Sequence, residues 1–238
     1  MKLDILAFGA HPDDVELSCS GTLIHQIQSG QKVGIIDLTR GEMGSRGTAE
    51  IRDKEAADAA KILGLAIREN LNMRDGFFRN DEEHQRMIIT ALRKYQPDVV
   101  FCNAITDRHP DHGKGAQLIE DACFLSGLIK IETSLNNEPQ KAWRPKLILH
   151  YIQDRHIQPD LVVDISDHWE QRMESIKAHR SQFYDPSSNE PETYIASKGF
   201  FEMIETRSRE IGRASGFKYA EGFTCSRIVG IKDIRNIF

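Results

Sequence analysis

The sequence predicts an α/β fold in which helices cover both faces of a mostly parallel sheet. In the first half of the chain, short apolar runs of strand length alternate with longer segments whose apolar or small residues recur at helical spacing. Glycine and proline bound many of these runs, as is typical of turns between elements. Strands that alternate with helices in this way are joined by right-handed crossovers, which place the strands parallel to one another.

The predicted elements of the first half follow in order. Strands and helices alternate at residues 3–8, 15–29, 33–38, 48–63, 66–71, 81–95, 99–102 and 112–126. Gly30 ends the first helix, and the second has Thr48 as a suitable N-cap and Gly64 as a suitable stop. Asn80 and Glu83 form the pattern of a capping box at the start of the third helix.

After Gly127 the alternation is less regular. A polar connection precedes two more strands and two more helices, which we predict at 147–152, 161–165, 167–179 and 193–212. The sequence has no repeat, low-complexity tract or interdomain linker. We therefore expect one domain over residues 1–238, with a core of about 1–127 that the C-terminal strands and helices complete.

The composition is that of an ordinary globular protein, with 39% hydrophobic and 28% charged residues. A net charge of −5 favours neither a nucleic-acid partner nor an anionic membrane surface. No apolar run reaches the roughly 20 residues of a membrane-spanning helix, and Asp4 and His11 interrupt the stretch that a signal peptide would need. The four cysteines lack C-x-x-C spacing, so we expect reduced thiols and a cytoplasmic protein.

Two similar polar clusters stand directly after predicted strands. The first is His11-Pro12-Asp13-Asp14, after the strand at 3–8, and the second is D-R-H-P-D-H at 107–112, after the strand at 99–102. The carboxyl edge of an open α/β sheet is where such proteins bind their ligands. We therefore expect the two clusters to be halves of one site.

The residue types in these clusters are those of a catalytic metal site. His11, Asp14 and His112 offer two imidazoles and one carboxylate, and a catalytic zinc commonly takes three such ligands and keeps a fourth position for water. Fe(II), Co(II) and Ni(II) accept the same donors, so the pattern does not select one metal. Asp13, free of the metal, has the position of a general base in metal-assisted hydrolysis.

The second cluster also holds a proton-handling group. His109, when protonated, can stabilise an oxyanion and then donate a proton to a leaving amine. Asp111 or Asp107 can hold its ring and raise its pKa. Together with Asp13, His109 would supply the acid and the base that amide hydrolysis needs.

Each of these residues also has an ordinary structural explanation. Asp13 and Asp14 could serve only as helix N-terminal residues, and His11 could be a turn histidine. The sequence contains no G-x-G-x-x-G after the first strand, no P-loop, no G-x-S-x-G and no H-E-x-x-H. Two other functions stay open: a non-catalytic sugar- or nucleotide-binding module, and a cysteine-dependent transferase, for which Cys102 lies nearest to the second cluster.

Four segments together resemble one enzyme family. They are A-H-P-D-D at 10–14, R-x-x-E at 52–55, R-H-P-D-H at 108–112 and Y-A-E-G-F at 219–223. With them the chain resembles the LmbE/PIG-L family of metal-dependent N-acetylglucosaminyl deacetylases. Within that family it looks most like the bacillithiol-biosynthesis branch, whose members deacetylate the N-acetylglucosamine of GlcNAc-malate.

The resemblance implies a Rossmann-like fold, a homo-oligomer, and zinc held by His11, Asp14 and His112. The implied reaction is hydrolysis of the acetamide of an N-acetylglucosaminyl conjugate, which gives acetate and a free amine. GlcNAc-malate is the predicted substrate, and N-acetylglucosamine or a chitooligosaccharide is the alternative.

The resemblance also implies roles for residues around the metal. Asp13 would act as the base, while His109, paired with Asp111, would stabilise the tetrahedral intermediate. Arg52 and Asp75 fall where the family contacts the sugar hydroxyls.

Five arginines lie in segments that leave the carboxyl ends of predicted strands: Arg40, Arg46, Arg52, Arg74 and Arg108. Guanidinium groups match the geometry of carboxylates, so the set indicates an anionic small substrate, and a malyl group fits. We expect Arg108 or Arg46 to grip the malate. The sequence leaves three further polar residues without a role: His150, His156 and Tyr194.

Overall fold

The computed structural model describes residues 1–233 and Arg235. In this part of the chain the strands are β1 (Ile5–Gly9), β2 (Val33–Asp37), β3 (Ile67–Asn70), β4 (Val99–Cys102), β5 (Ser134–Leu135), β6 (Glu138–Pro139), β7 (Leu147–Tyr151), β8 (Leu161–Asp164) and β9 (Ala220–Thr224). The α-helices are α1 (Asp14–Gln28), α2 (Ala49–Leu63), α3 (Glu82–Tyr95), α4 (Pro110–Leu125), α5 (Trp169–Lys177) and α6 (Phe200–Arg213). Among the helices described, none has the length and apolar character to cross a bilayer.

Seven strands form one sheet in the order β3-β2-β1-β4-β7-β9-β8. The pairs β3–β2, β2–β1, β1–β4 and β4–β7 are parallel, whereas β9 runs antiparallel to both of its neighbours. The predicted α/β class with a mostly parallel sheet is confirmed. The strands β2 and β3 lie on one side of β1, and β4 lies on the other side. At such a reversal of strand order, a crevice opens beyond the carboxyl ends of the two central strands, here β1 and β4.

Helices cover both faces of the sheet, and β1 shows how. Leu6 and Phe8 point into a core shared with α3 and α4, while Ile5 and Ala7 point into a second core shared with α1. This two-sided burial explains why β1 is a continuous apolar run in the sequence. A third cluster, which includes Trp169 from α5, packs α5 and α6 near the strands β8 and β9.

Several helix ends agree with their sequence signals, and others differ. Thr48 caps α2 through the amide of Ile51, and Gly64 ends it at φ +76°. The N-cap of α3 is Asp81 rather than Asn80, because the Asp81 carboxylate accepts the amide N–H of His84. The helix predicted at 112–126 begins earlier, at Pro110, since proline suits the first helical turn. The last helix begins at Phe200, later than predicted.

The strand β9 was not predicted, and a buried ion pair holds it. Glu221 in β9 accepts hydrogen bonds from the amides of Gly21 and Thr22 at 2.9 and 2.7 Å. It also accepts one from Nε of Arg172 on α5 at 2.8 Å. A short strand that contains a buried glutamate lacks the alternation of apolar and polar residues that marks strands in a sequence. The partners of this glutamate on α1 and α5 account for its burial. The hairpin of β5 and β6, inside the predicted polar connection, was missed as well.

Candidate metal and catalytic site

A cavity of about 260 Å³ opens beyond the carboxyl ends of β1 and β4. Of the residues predicted for the site, all but Arg46 and Asp111 line it. One wall is apolar and comes largely from α6 and the segment before it: Leu17, Met43, Ile195, Phe200, Met203 and Ile204.

The floor of the cavity is formed by His11, Asp14 and His112, which come from the two clusters. Nε2 of His112 lies 3.0 Å from Oδ1 of Asp14, and Nδ1 of His11 lies 3.6 Å from Oδ2 of Asp14. All three residues are buried. Asp14 is the first residue of α1, and His112 lies in the first turn of α4. The parallel pairing of β1 with β4 thus brings together side chains that are far apart in the sequence.

In His11 and in His112, one ring nitrogen faces Asp14 and the other faces away from it. The nitrogen that faces away contacts a carboxylate. Nδ1 of His112 lies 2.6 Å from Oδ2 of Asp107. Nε2 of His11 lies 3.1 Å from Oδ1 of Asp75 and 3.4 Å from Oδ2 of Asp111. Histidines that bind metals have this arrangement, because the outer carboxylate fixes the tautomer and raises the basicity of the inner nitrogen.

The charges favour a cation between these side chains. Burial lowers the pKa of His112, but Asp14 and Asp107 outweigh burial and raise that pKa to about 9. Burial likewise lowers the pKa of His11, and the surrounding carboxylates raise it well above its usual value. Burial raises the pKa of Asp14, yet the two histidines hold it well below its usual value. The carboxylates that stabilise protonated histidines here would stabilise a divalent cation in the same way.

The donor set fits a metal ion. Nitrogens of His11, His109 and His112 lie within 4.8 Å of one another. Donor atoms of His11, Asp75 and Asp111 also lie within 4.8 Å of one another. In the first group, however, Nδ1 of His109 caps a helix. In the second group, Asp75 and Asp111 contact Nε2 of His11, the nitrogen that faces away from Asp14. These contacts favour His11, Asp14 and His112 as the ligands, with two imidazoles and one carboxylate.

Asp13 has a strained backbone, which Arg52 supports. Its φ is +124°, a conformation that costs a non-glycine residue about 1–3 kcal/mol. Nη2 of Arg52 donates to the carbonyl of Pro12 at 2.7 Å and to Oδ2 of Asp13 at 3.3 Å, and Nη1 donates to the carbonyl of Gly41 at 3.1 Å. Burial raises the pKa of Asp13, and the guanidinium of Arg52 opposes this shift. Arg52 therefore positions Asp13 in addition to facing the cavity.

His109 is the N-cap of α4, and this position determines which of its ring nitrogens carries the proton. Its Nδ1 accepts the amide N–H of Asp111 at 3.3 Å, so the ring proton lies on Nε2. Burial, then the positive His11 and His112, lower its pKa, and a helix N-terminus also disfavours a cation. The direction of this shift disfavours the imidazolium that the sequence predicted for His109. The carboxylates of Asp107 and Asp111, which we expected beside the ring of His109, contact the rings of His112 and His11.

Two amide side chains that the sequence did not suggest complete the floor. Nδ2 of Asn103 donates to Oδ2 of Asp14 at 2.9 Å, and Nε2 of Gln153 donates to Oδ1 of Asp14 at 3.1 Å. Nδ2 of Asn103 also donates to Oε1 of Gln153 at 3.0 Å. The available signal was their placement, since each is the first polar residue after a parallel strand, β4 or β7. Both amides hold the carboxylate of Asp14 in one orientation.

Replacing Gln153 with alanine is expected to weaken metal binding about 10–100-fold, because Asp14 loses a donor that orients it. The dissociation constant would be measured by competition with a chromophoric chelator. Gln182→Ala is the matched control, since Gln182 lines the same cavity without a hydrogen bond to Asp14 in the described part of the chain. Equal affinity in Gln153→Ala and the parent would mean that Asn103 and the main-chain N–H of His11 hold the carboxylate without Gln153.

Arg46 is not a cavity residue, and its expected role in gripping a substrate is wrong. Its guanidinium is buried and donates to the carbonyls of Ser181, Phe183 and Pro191 at 2.9, 3.2 and 3.0 Å. These bonds tie the glycine-rich loop at 39–47 to the segment around 181–191. Two more of the five arginines also lie outside the cavity lining: Arg40 and Arg74.

The mouth of the cavity is charged. Arg108 lies over the ring of Tyr194, with the guanidinium carbon 4.4 Å from the ring centre. The hydroxyl of Tyr194 donates to Oδ1 of Asp154 at 2.6 Å. Arg207 of α6, which the sequence did not indicate, also reaches this mouth. The structure therefore brings Tyr194 to the site.

The other two unassigned residues lie elsewhere. His150 is buried, and its Nδ1 is 2.9 Å from the carbonyl oxygen of Asn103, outside the cavity lining. His156 lines a neighbouring groove between the segment that follows β7 and α6. Neither histidine lines the cavity.

One protein-family model and several known proteins are similar to this chain. The sequence model of PIG-L, described as GlcNAc-PI de-N-acetylase, matches residues 6–123. A conserved protein of known structure from Thermus thermophilus is 36% identical, and the superposition covers 97% of this chain and 98% of that one with a TM-score of 0.84.

Two further relatives have named activities. Diacetylchitobiose deacetylase from Thermococcus kodakarensis is 27% identical over 92% of this chain and 81% of its own length. The probable N-acetyl-alpha-D-glucosaminyl L-malate deacetylase 2 from Bacillus anthracis is 25% identical over 87% of this chain and 92% of its own length.

Proposed function

The chain belongs to the PIG-L family of N-deacetylases, and we propose that it hydrolyses the acetamide of an N-acetylglucosaminyl conjugate with a divalent metal held by His11, Asp14 and His112. One observation supports this most strongly: two clusters from separate strand ends converge on Asp14, and each histidine keeps an outer carboxylate. Zinc is the metal that we propose, with Fe(II) as the alternative.

The residues around the metal divide the remaining work. A bound divalent cation supplies Lewis acidity to the acetamide carbonyl and makes water more acidic. The carboxylate of Asp13 accepts the proton of the attacking water, and Arg52 holds that carboxylate in place. Nε2–H of His109 donates a hydrogen bond to the developing oxyanion, which a neutral imidazole can do. The proton on Asp13 then passes to the leaving amine.

The substrate that we propose is GlcNAc-malate, and a chitooligosaccharide is the alternative. The relatives include a diacetylchitobiose deacetylase and a probable malate-conjugate deacetylase at similar identity, so similarity alone does not choose. Arg108 supports an anionic aglycone, because its guanidinium lines the mouth of the cavity. The proposal extends to a cytoplasmic homo-oligomer that acts on this small molecule.

A substrate panel on the metal-loaded protein tests this function. We expect acetate release from GlcNAc-malate with a kcat/KM at least about tenfold above that from N-acetylglucosamine or diacetylchitobiose, since a charge-assisted contact contributes about 1.5–3 kcal/mol. A chelator should abolish the release, and thiol alkylation should not, which separates the metal enzyme from a cysteine-dependent transferase. Absence of acetate from every substrate, with about one metal per chain, would favour a binding module.

A further inference from the structure

Asp154 lies between two cations at the mouth of the cavity. Its carboxylate is 3.6 Å from Nε of Arg108, 3.7 Å from Nη2 of Arg207, and 2.6 Å from the hydroxyl of Tyr194. The two guanidinium groups and this carboxylate together carry one excess positive charge. The two ion pairs are longer than hydrogen bonds, so Asp154 neutralises both guanidinium groups only in part.

Arg108 keeps its donors available. Its guanidinium makes no hydrogen bond within residues 1–233, and its side chain is 48% exposed. The ring of Tyr194 packs against one side of the guanidinium. A guanidinium that packs on an aromatic ring and keeps its donors available is suited to a bidentate carboxylate.

Arg207 is fixed in a complementary way. It donates to the main-chain carbonyls of Gln153 and Asp154, and the second of these bonds measures 2.6 Å. These carbonyls use two of its five donors and hold its head group beside Asp154. Arg207 lines the same cavity as Arg108, so both residues lie at its mouth.

We propose that Arg108 and Arg207 form a subsite for a carboxylate on the aglycone of the substrate, and that Asp154 occupies this subsite when no substrate is bound. The proposal rests on the deacetylase function proposed above. An incoming carboxylate must compete with Asp154 for the two guanidinium groups. Asp154 is then a specificity-determining residue that weakens the binding of anionic substrates. It thereby limits how far kcat/KM for an anionic substrate exceeds that for a neutral one.

The test uses two substrates of equal shape and different charge. They are the glycolic acid glycoside of N-acetylglucosamine and its uncharged amide, and the readout is the ratio of their kcat/KM values. Asp154→Asn keeps the acceptor for Tyr194 and the main-chain carbonyl for Arg207. We expect it to raise the anionic-to-neutral ratio about fivefold. Arg108→Gln should lower the ratio by a similar factor.

Asp58→Asn is the matched control, because Asp58 is an exposed aspartate on α2 paired with Lys61 and lies outside the cavity lining. Its ratio should equal that of the parent. Succinate, as an inhibitor of the neutral substrate, gives an independent readout: its inhibition constant should fall about fivefold in Asp154→Asn and rise in added salt.

The possible results separate the two proposals. Hydrolysis of the neutral substrate with an unchanged ratio and an unchanged succinate constant in Asp154→Asn would overturn the carboxylate subsite alone. Failure of the parent protein to hydrolyse either substrate would overturn the deacetylase function instead. A lower ratio in Asp154→Asn would show that the carboxylate of Asp154 helps substrate to bind, which also contradicts the proposal.

Discussion

Replacing His112 with alanine is expected to remove the bound metal and the deacetylase activity together. His112 is one of three proposed ligands, and the acidic surroundings that raise its pKa to about 9 show how strongly this point stabilises a cation. Metal content, measured by elemental analysis, should fall from about one ion per chain to near zero. Because a metal contributes several kcal/mol to such a reaction, kcat/KM should fall about 10³-fold or more.

His25→Ala is the control for this experiment. His25 is exposed on α1, and its Nδ1 lies 3.1 Å from His168, outside the cavity lining. It should retain both metal and activity. If His112→Ala kept one tightly bound ion per chain, the ligand set would have to be reassigned to the cluster of His11, Asp75 and Asp111, whose donor atoms also lie within 4.8 Å of one another.

Replacing Asp13 with asparagine is expected to lower kcat about 10²–10⁴-fold while metal content stays near stoichiometric. Asparagine keeps the shape of the side chain and tolerates a positive φ better than most residues, so the strained turn before α1 should persist. It cannot accept the proton of the attacking water. Metal analysis, together with kcat and KM on the same preparation, would check the prediction.

The outcome of the Asp13 experiment also tests the assignment of roles. Loss of the metal in Asp13→Asn would make Asp13 a ligand rather than the base. A raised KM with normal kcat would give it a role in substrate binding. Asp53→Asn, on the exposed side of α2, removes an equal charge and should leave both metal and kcat unchanged.

The sequence identified those parts of the site that are formed by residues adjacent in the chain. His11 and Asp14 stand directly after one apolar run and His112 follows another, and histidine–proline–aspartate turns at strand ends are a local feature that a sequence displays. Thr48 and Gly64 were found for the same reason, since capping depends on neighbours within a few residues. Arg46 shows where this reasoning fails. It leaves a strand end, as the cavity arginines do, but its guanidinium meets carbonyls of the segment around 181–191.

What the sequence by itself determined was the class of fold, the two turns and the chemistry that their side chains can perform. Only the tertiary structure decided which partner each group has. Asp107 contacts the ring of His112, Asp111 contacts the ring of His11, and Gln153 donates a hydrogen bond to Asp14. The physical reason is that strand order sets the distance between residues remote in the chain. Local propensity sets where strands and turns begin, but it contains no information on which strand lies beside which.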